Sequence, residues 1–158
     1  MLGSQNKYFH QDFDVLLENR KHLEYVLKNV WLKSQTSIKA YLEAYDFFML
    51  NPSDYDGATV VNDFYLIKGL DVWAMLHDYI YIKFNVAVSL CYKYLADKFY
   101  SLEMRKFHIS WGSVWLVRFF GLTLSTIVFT PREYFYNKKR ITSEQKTAFK
   151  IYINKLNT

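Results

Sequence analysis

Four short segments of this chain carry polar residues where their surroundings are apolar: Asp56-Gly57-Ala58-Thr59, Asn62-Asp63, His77-Asp78 and Asp97. A histidine near carboxylates is the material of general acid–base chemistry. Imidazole exchanges a proton near neutral pH, and a carboxylate can orient it or hold a cation beside it. His77, Asp78 and Asp97 are therefore the candidate catalytic residues. On a helix Asp71, Met75 and Asp78 share one face while Trp73 and His77 share another. The adjacent pair His77 and Asp78 is thus expected to diverge. A buried His77 imidazole would then find its partner on another segment, with Asp97 and Asp56 as candidates. The other reading of the same residues is structural: Asp56, Thr59, His77, Asp78, Asp97 and Arg118 form a polar cluster that ties several segments together, Arg118 pairing with Asp97 or Asp78.

Other chemistries find no support. His10, His22, His77 and His108 are scattered with no His-Glu-X-X-His spacing, and Cys91 is the single cysteine, so neither a metal site nor an intrachain disulfide is expected. There is no Gly-rich phosphate loop, no Gly-X-Ser-X-Gly elbow and no Cys-His arrangement. No cofactor is expected. A lone cysteine fits a reducing, intracellular setting, and the N-terminal residues lack the basic-then-apolar pattern of a cleaved secretion signal.

The elements that must position these residues read as helices. Apolar residues recur at three- and four-residue spacing from Asp12 to Leu50, with Ser34 to Ser37 offering a cap for a second helix. Pro52 and Asp56-Gly57 mark a loop, and Thr59 to Ile67 is β-branched and aromatic enough for one brief strand. Asp71 caps a helix through His77 and Tyr81, Asn85 punctuates, and Val86 to Phe107 carries the next helical pattern. Ser143 caps a terminal amphipathic helix on which Phe149, Ile153 and Leu156 dock. The expected fold is mainly α, a compact domain of about five helices with at most a small β element. It forms one domain over 1–158, with a helical part at 1–50, a motif-bearing core at 51–130 and a basic segment at 131–158.

Ile109 to Phe129 is strongly apolar, but Arg118 lies in its middle, and a charge at that depth disfavours a membrane span. A buried helix is expected instead. Of the net charge of +5, all resides in Pro131 to Thr158, which holds seven basic and two acidic residues. Arg132, Lys138, Lys139 and Arg140 open that segment as candidates for contact with DNA or an acidic protein. The aromatic share of 20%, with fourteen Tyr and thirteen Phe, predicts a thick aromatic core and at least one adhesive surface.

Asp56-Gly57-Ala58-Thr59, Ala74-Met75-Leu76-His77-Asp78-Tyr79-Ile80-Tyr81, Ala96-Asp97-Lys98-Phe99 and Trp115-Leu116-Val117-Arg118-Phe119-Phe120-Gly121 together resemble a family of small phage- and prophage-encoded proteins. The family pattern is similar in order and spacing: Asp-Gly-Ala-Ser, a His-Asp-Tyr-X-Tyr helix, an Ala-Asp helix and a Val-Arg-X-X-Gly helix. The likeness spans about Asp56 to Gly121. The Ile-Pro turn usual after the first motif is replaced here by Val60-Val61-Asn62. The resemblance implies a phage setting and brings no activity with it. The expectation is a virion, neck or tail component of a tailed phage, located in the particle and in the host cytoplasm during assembly. Its partners would be other phage structural proteins in a homo- or hetero-oligomer. A hydrolase whose His-Asp helix resembles that of phospholipases A2 is the first alternative, although their disulfides and Gly-rich calcium loop are absent. A membrane-associated ejection or lysis component using Ile109 to Phe129 is the second.

Overall fold

A computed structural model of the chain describes residues 19–54, 70–106, 112, 115, 124–136 and 138–157. The fold is mainly α, as the periodicity predicts. Six α-helices occur among the described residues: α1 (Arg20–Asn29), α2 (Gln35–Leu50), α3 (Leu70–Phe84), α4 (Leu90–Lys106), α5 (Leu124–Pro131) and α6 (Ser143–Leu156). No strand occurs among them, and the stretch expected to form one, Thr59 to Ile67, lies outside the described residues. The chain divides into two compact units, Met1–Asp78 and Tyr79–Thr158, so the boundary falls within α3.

In the first unit α1 and α2 pack against each other. Much of the described part of the apolar stripe is buried, Leu23 and Leu27 of α1 and Ile38 and Tyr41 of α2 each at most 5% exposed, whereas Val30 is 61% exposed and the positions before Asn19 lie outside the described residues. Asn19 caps α1 by accepting from the backbone N–H groups of Lys21 and His22, and Ser34 caps α2 by accepting from that of Ser37. Both satisfy donors that a helix start leaves open. Across the pair, Arg20 grips Asp46 with two hydrogen bonds, Nε to Oδ1 at 2.7 Å and Nη2 to Oδ2 at 3.0 Å. The Asp46 hydrogen bond holds the Arg20 guanidinium above its ordinary range, so loss of the arginine's own charge does not weaken this contact short of strong alkali. Both side chains are about half exposed, which keeps the pair a minor contributor. Trp31, beyond α1, meets Trp73 of α3 with ring centroids 6.1 Å apart.

In the second unit α4 packs against both α5 and α6. Asn85 ends α3 in the left-handed conformation that Asn tolerates, and a 3-10 turn over Val86–Val88 leads into α4. The sequence pattern from Val86 onward is thus divided between a short turn and a helix starting at Leu90. Phe84, Tyr92, Phe149 and Tyr152 form an aromatic cluster with ring centroids 5.2–5.7 Å apart. This cluster docks α6, where Phe149, Ile153 and Leu156 are buried as expected. The cap of α6 is Thr142 rather than Ser143: Thr142 accepts from the Gln145 backbone and Gln145 returns a bond to Thr142, a complete capping box.

Two sequence readings are corrected here. Asp71 is itself a helical residue of α3 and so does not stand before the helix as its cap. Most of the apolar stretch Ile109 to Phe129, expected to be a buried helix, lies outside the described residues, and within it Trp115 is 60% and Ile127 66% exposed. Hydropathy registers side-chain type and not which neighbours cover it. No helix among the described residues is long and apolar enough to cross a membrane.

The closure of α1 yields a test. Lys33 N–H reaches back to the carbonyl of Leu27 at 2.9 Å, which sets Leu32 at the left-handed position where glycine is the usual residue. Leu32 adopts φ 46° and is 80% exposed, so its Cβ carries a steric cost while its side chain buries little. Leu32→Gly is expected to stabilise the protein by about 1 kcal/mol. A urea titration followed by circular dichroism checks it, and a midpoint that falls would refute the assignment of strain.

Candidate functional site

The most completely built polar arrangement lies in the second unit. Lys93 and Asp97 stand four residues apart on α4 and so share a face. Lys93 Nζ donates to Asp97 Oδ2 at 2.8 Å, and Tyr81, on the C-terminal half of α3, donates its hydroxyl to Asp97 Oδ1. The Lys93 ammonium also lies 5.2 Å from the centre of the Tyr81 ring. Ser101 Oγ donates to the Asp97 backbone carbonyl at 2.9 Å. Lys93 is 2% and Asp97 5% exposed.

Each Asp97 oxygen therefore has a strong donor. A carboxylate so engaged is poorly available as a base, because taking up a proton would forfeit charge-assisted bonds made in a dry environment. The arrangement solvates an interior charge and fixes α4 relative to the end of α3. Sequence reasoning found Asp97 but missed Lys93 and Tyr81. The four-residue spacing of Lys93 and Asp97 was a usable signal, whereas nothing local points from Tyr81 to Asp97.

His77 and Asp78 lie at the end of the first unit, both partly buried. Their side chains are in contact, His77 Nδ1 to Asp78 Oδ1 at 3.3 Å. This corrects the expected divergence. Successive helix positions do point about 100° apart, but Nδ1 sits close to the backbone end of the ring, and a short carboxylate can swing to meet it. An imidazole against a carboxylate is a pair that can orient a proton acceptor.

Of the remaining predicted residues, Asp56, Thr59 and Arg118 lie outside the described residues. Arg132 begins a π-helical turn, Arg132–Tyr136, that directly follows Pro131. Pro131 lacks the N–H that would continue the regular ladder, and π turns occur where the ladder is interrupted. Lys138, Lys139 and Arg140 are all exposed, with Lys138 turning the chain at φ 50°. Arg140 is held in place: its guanidinium lies 3.8 Å from the centre of the Tyr134 ring, and Nη1 donates to the carbonyls of Tyr134 and Lys139, each at 2.8 Å.

The exposed Lys83 lies against three aromatic rings, an arrangement not foreseen in the sequence. Its ammonium lies 4.8 Å from the ring centre of Tyr79, 5.0 Å from that of Tyr152 and 5.7 Å from that of Phe84, and it donates to the Tyr79 hydroxyl at 2.9 Å. Cation–π attraction thus joins the end of α3 to α6. Among the described residues no group of three or more His, Cys, Asp or Glu side chains is placed to hold a metal ion. No family model, curated protein or solved structure matches the chain.

The buried ion pair yields a discriminating set of variants. Asp97→Leu is expected to cost about 3–5 kcal/mol, since it leaves the Lys93 ammonium stranded in the interior, and Lys93→Met completes the set of single variants. The double variant Lys93→Met/Asp97→Leu is expected to recover most of that loss, because it removes both charges. Chemical denaturation of the four proteins in the cycle measures the coupling. Additive losses would mean that Lys93 and Asp97 do not depend on each other.

Proposed function

We propose that this protein is a structural or assembly component of a tailed bacteriophage, a virion, neck or tail protein that works by docking on other phage structural proteins in a homo- or hetero-oligomer. The observation that carries the reading is the unspent apolar surface. Val30, Leu32 and Leu50 in the first unit are 61%, 80% and 82% exposed, and Ile127, Phe135 and Tyr136 in the second are 66%, 72% and 87% exposed. Isolated exposed apolar residues are ordinary, but runs of adjacent aromatics at the surface are enriched at interfaces. The motif resemblance supplies the phage context and the particle as the location. The closed Lys93–Asp97–Tyr81 cluster suits a scaffold, since its polar groups serve the fold.

A second reading rests on a specific contact. The His77–Asp78 pair is the element a hydrolase would use, with His77 as the base and Asp78 orienting it.

Two measurements test these readings. Light scattering coupled to size exclusion is expected to show a concentration-dependent oligomer, and the protein is expected to co-sediment with phage particles or their subassemblies. A monomer that binds none of them would sink the assembly reading. His77→Ala, screened with the wild type for turnover of phospholipid, peptidoglycan and nucleic acid, separates the second reading: turnover lost in the variant with unchanged circular dichroism supports it, and absence of turnover in the wild type removes it.

A further inference from the structure

Tyr134, Phe135, Tyr136, Lys138, Lys139 and Arg140 bring aromatic and basic residues together on the surface, all exposed. Tyr134, Phe135 and Tyr136 are consecutive and exposed, Phe135 and Tyr136 to 72% and 87%. The Tyr134 and Phe135 rings meet edge to face at 5.0 Å. The Arg140 guanidinium covers one face of Tyr134 at 3.8 Å and is clamped there by its two bonds to backbone carbonyls. The Asn85 side chain donates to the Arg140 carbonyl at 3.2 Å, which anchors this part of the turn to the residue ending α3. The result is a strip of guanidinium, phenol ring and phenyl ring, with Tyr136 and Lys138 exposed beside it.

We infer that this strip binds single-stranded nucleic acid, with bases stacking on Phe135 and Tyr136 and phosphates drawn to Lys138 and Arg140. Charge complementarity selects a polyanion, because the segment Pro131 to Thr158 carries the chain's whole net charge of +5. The side-chain types select among polyanions. Tyr134 to Arg140 contains no aliphatic side chain, and two of its three aromatic rings end in hydroxyls. That composition suits flat stacking on bases better than insertion among acyl chains, where an amphipathic apolar face is needed. Stacking is tolerant of sequence, since every base has a π face, so no base preference is required. Arg140 spends only Nη1 on the carbonyls named, and a guanidinium fixed in one plane loses little freedom on meeting a phosphate. Phe135 and Tyr136 are also among the exposed residues cited for docking on other proteins, but the nucleic-acid inference stands on stacking and charge and does not need that docking.

The test uses the full chain and fluorescence anisotropy with two labelled oligomers of equal charge: an oligothymidylate of about ten nucleotides and an abasic strand of the same length. Wild type is expected to bind the oligothymidylate at least about fivefold more tightly than the abasic strand, the effect of one stacked base. Phe135→Ala/Tyr136→Ala is expected to abolish that difference, and Phe135→Leu/Tyr136→Leu to do the same although it keeps apolar bulk. Lys138→Glu is expected to weaken both oligomers and to reduce the salt dependence by about one counterion. Circular dichroism confirms that each variant is folded. Equal binding of the two oligomers by the wild type, no binding at all, or leucine variants that still prefer the oligothymidylate would overturn the inference. So would association with phosphatidylserine vesicles in the absence of oligomer binding, which would assign the strip to a lipid surface. Light scattering on the same samples reads self-association separately, so the loss of either conclusion is recognisable without the other.

Discussion

The carboxylate of Asp97 is a charge held away from water, and the second unit is arranged around satisfying it. One oxygen takes the Tyr81 hydroxyl and the other the Lys93 ammonium. Lys93 belongs to the same helix and would remain near Asp97 under many packings, but Tyr81 comes from α3 and fixes the relation between the two helices. Rotating α3 by a single residue would carry Tyr81 about 100° away and strand half of the carboxylate. Apolar surfaces such as those of Ile80 and Phe99 tolerate small slips at modest cost, whereas a buried charge does not. Ser101 strengthens the same point from the backbone side by donating to the Asp97 carbonyl.

Aromatic residues serve two opposed purposes in this unit. Phe84, Tyr92, Phe149 and Tyr152 pack edge to face and tilted, and hold α6 in place. Phe135 and Tyr136 instead project outward from the turn that follows Pro131. The difference comes from the backbone. On α6 the spacing of Phe149, Tyr152 and Ile153 places them on one side of a regular helix, and that side meets α4. After Pro131 the helix gives way to a π turn, and three consecutive aromatics on such a turn cannot all face one partner. Lysines stand near both groups and both are exposed: Lys83 lies against Tyr79, Phe84 and Tyr152, and Lys138 stands past the turn.

The parts of the fold legible in the sequence are those governed by local rules. The helical stripe of Leu23, Leu27, Ile38 and Tyr41, the cap at Ser34, the break at Asn85 and the docking face of α6 all follow from spacing and from the few residue types that suit helix ends. The readings that failed depended on competition between neighbours or on distant contacts. Thr142 outcompetes Ser143 as a cap because Gln145 stands three residues beyond it and completes the box. Trp115 and Ile127 are apolar yet exposed, which no hydropathy pattern distinguishes from burial. The role of Tyr81 depends on a helix sixteen positions away in the sequence, and one sequence read alone holds no trace of that pairing.

The polar residues singled out by type divide according to what their surroundings leave them able to do. Asp97 is held by a phenol and an ammonium, so any proton it accepted would displace an interaction that the fold requires. Its position is explained by stability alone. His77 and Asp78 are different: they are only partly buried, and their 3.3 Å contact is long for a charge-assisted bond. The helix around the pair is secured by buried Trp73, Met75, Leu76 and Ile80. The donors on Asp97 explain its place in the fold, and the His77–Asp78 contact on α3 is the arrangement on which the second, chemical reading rests.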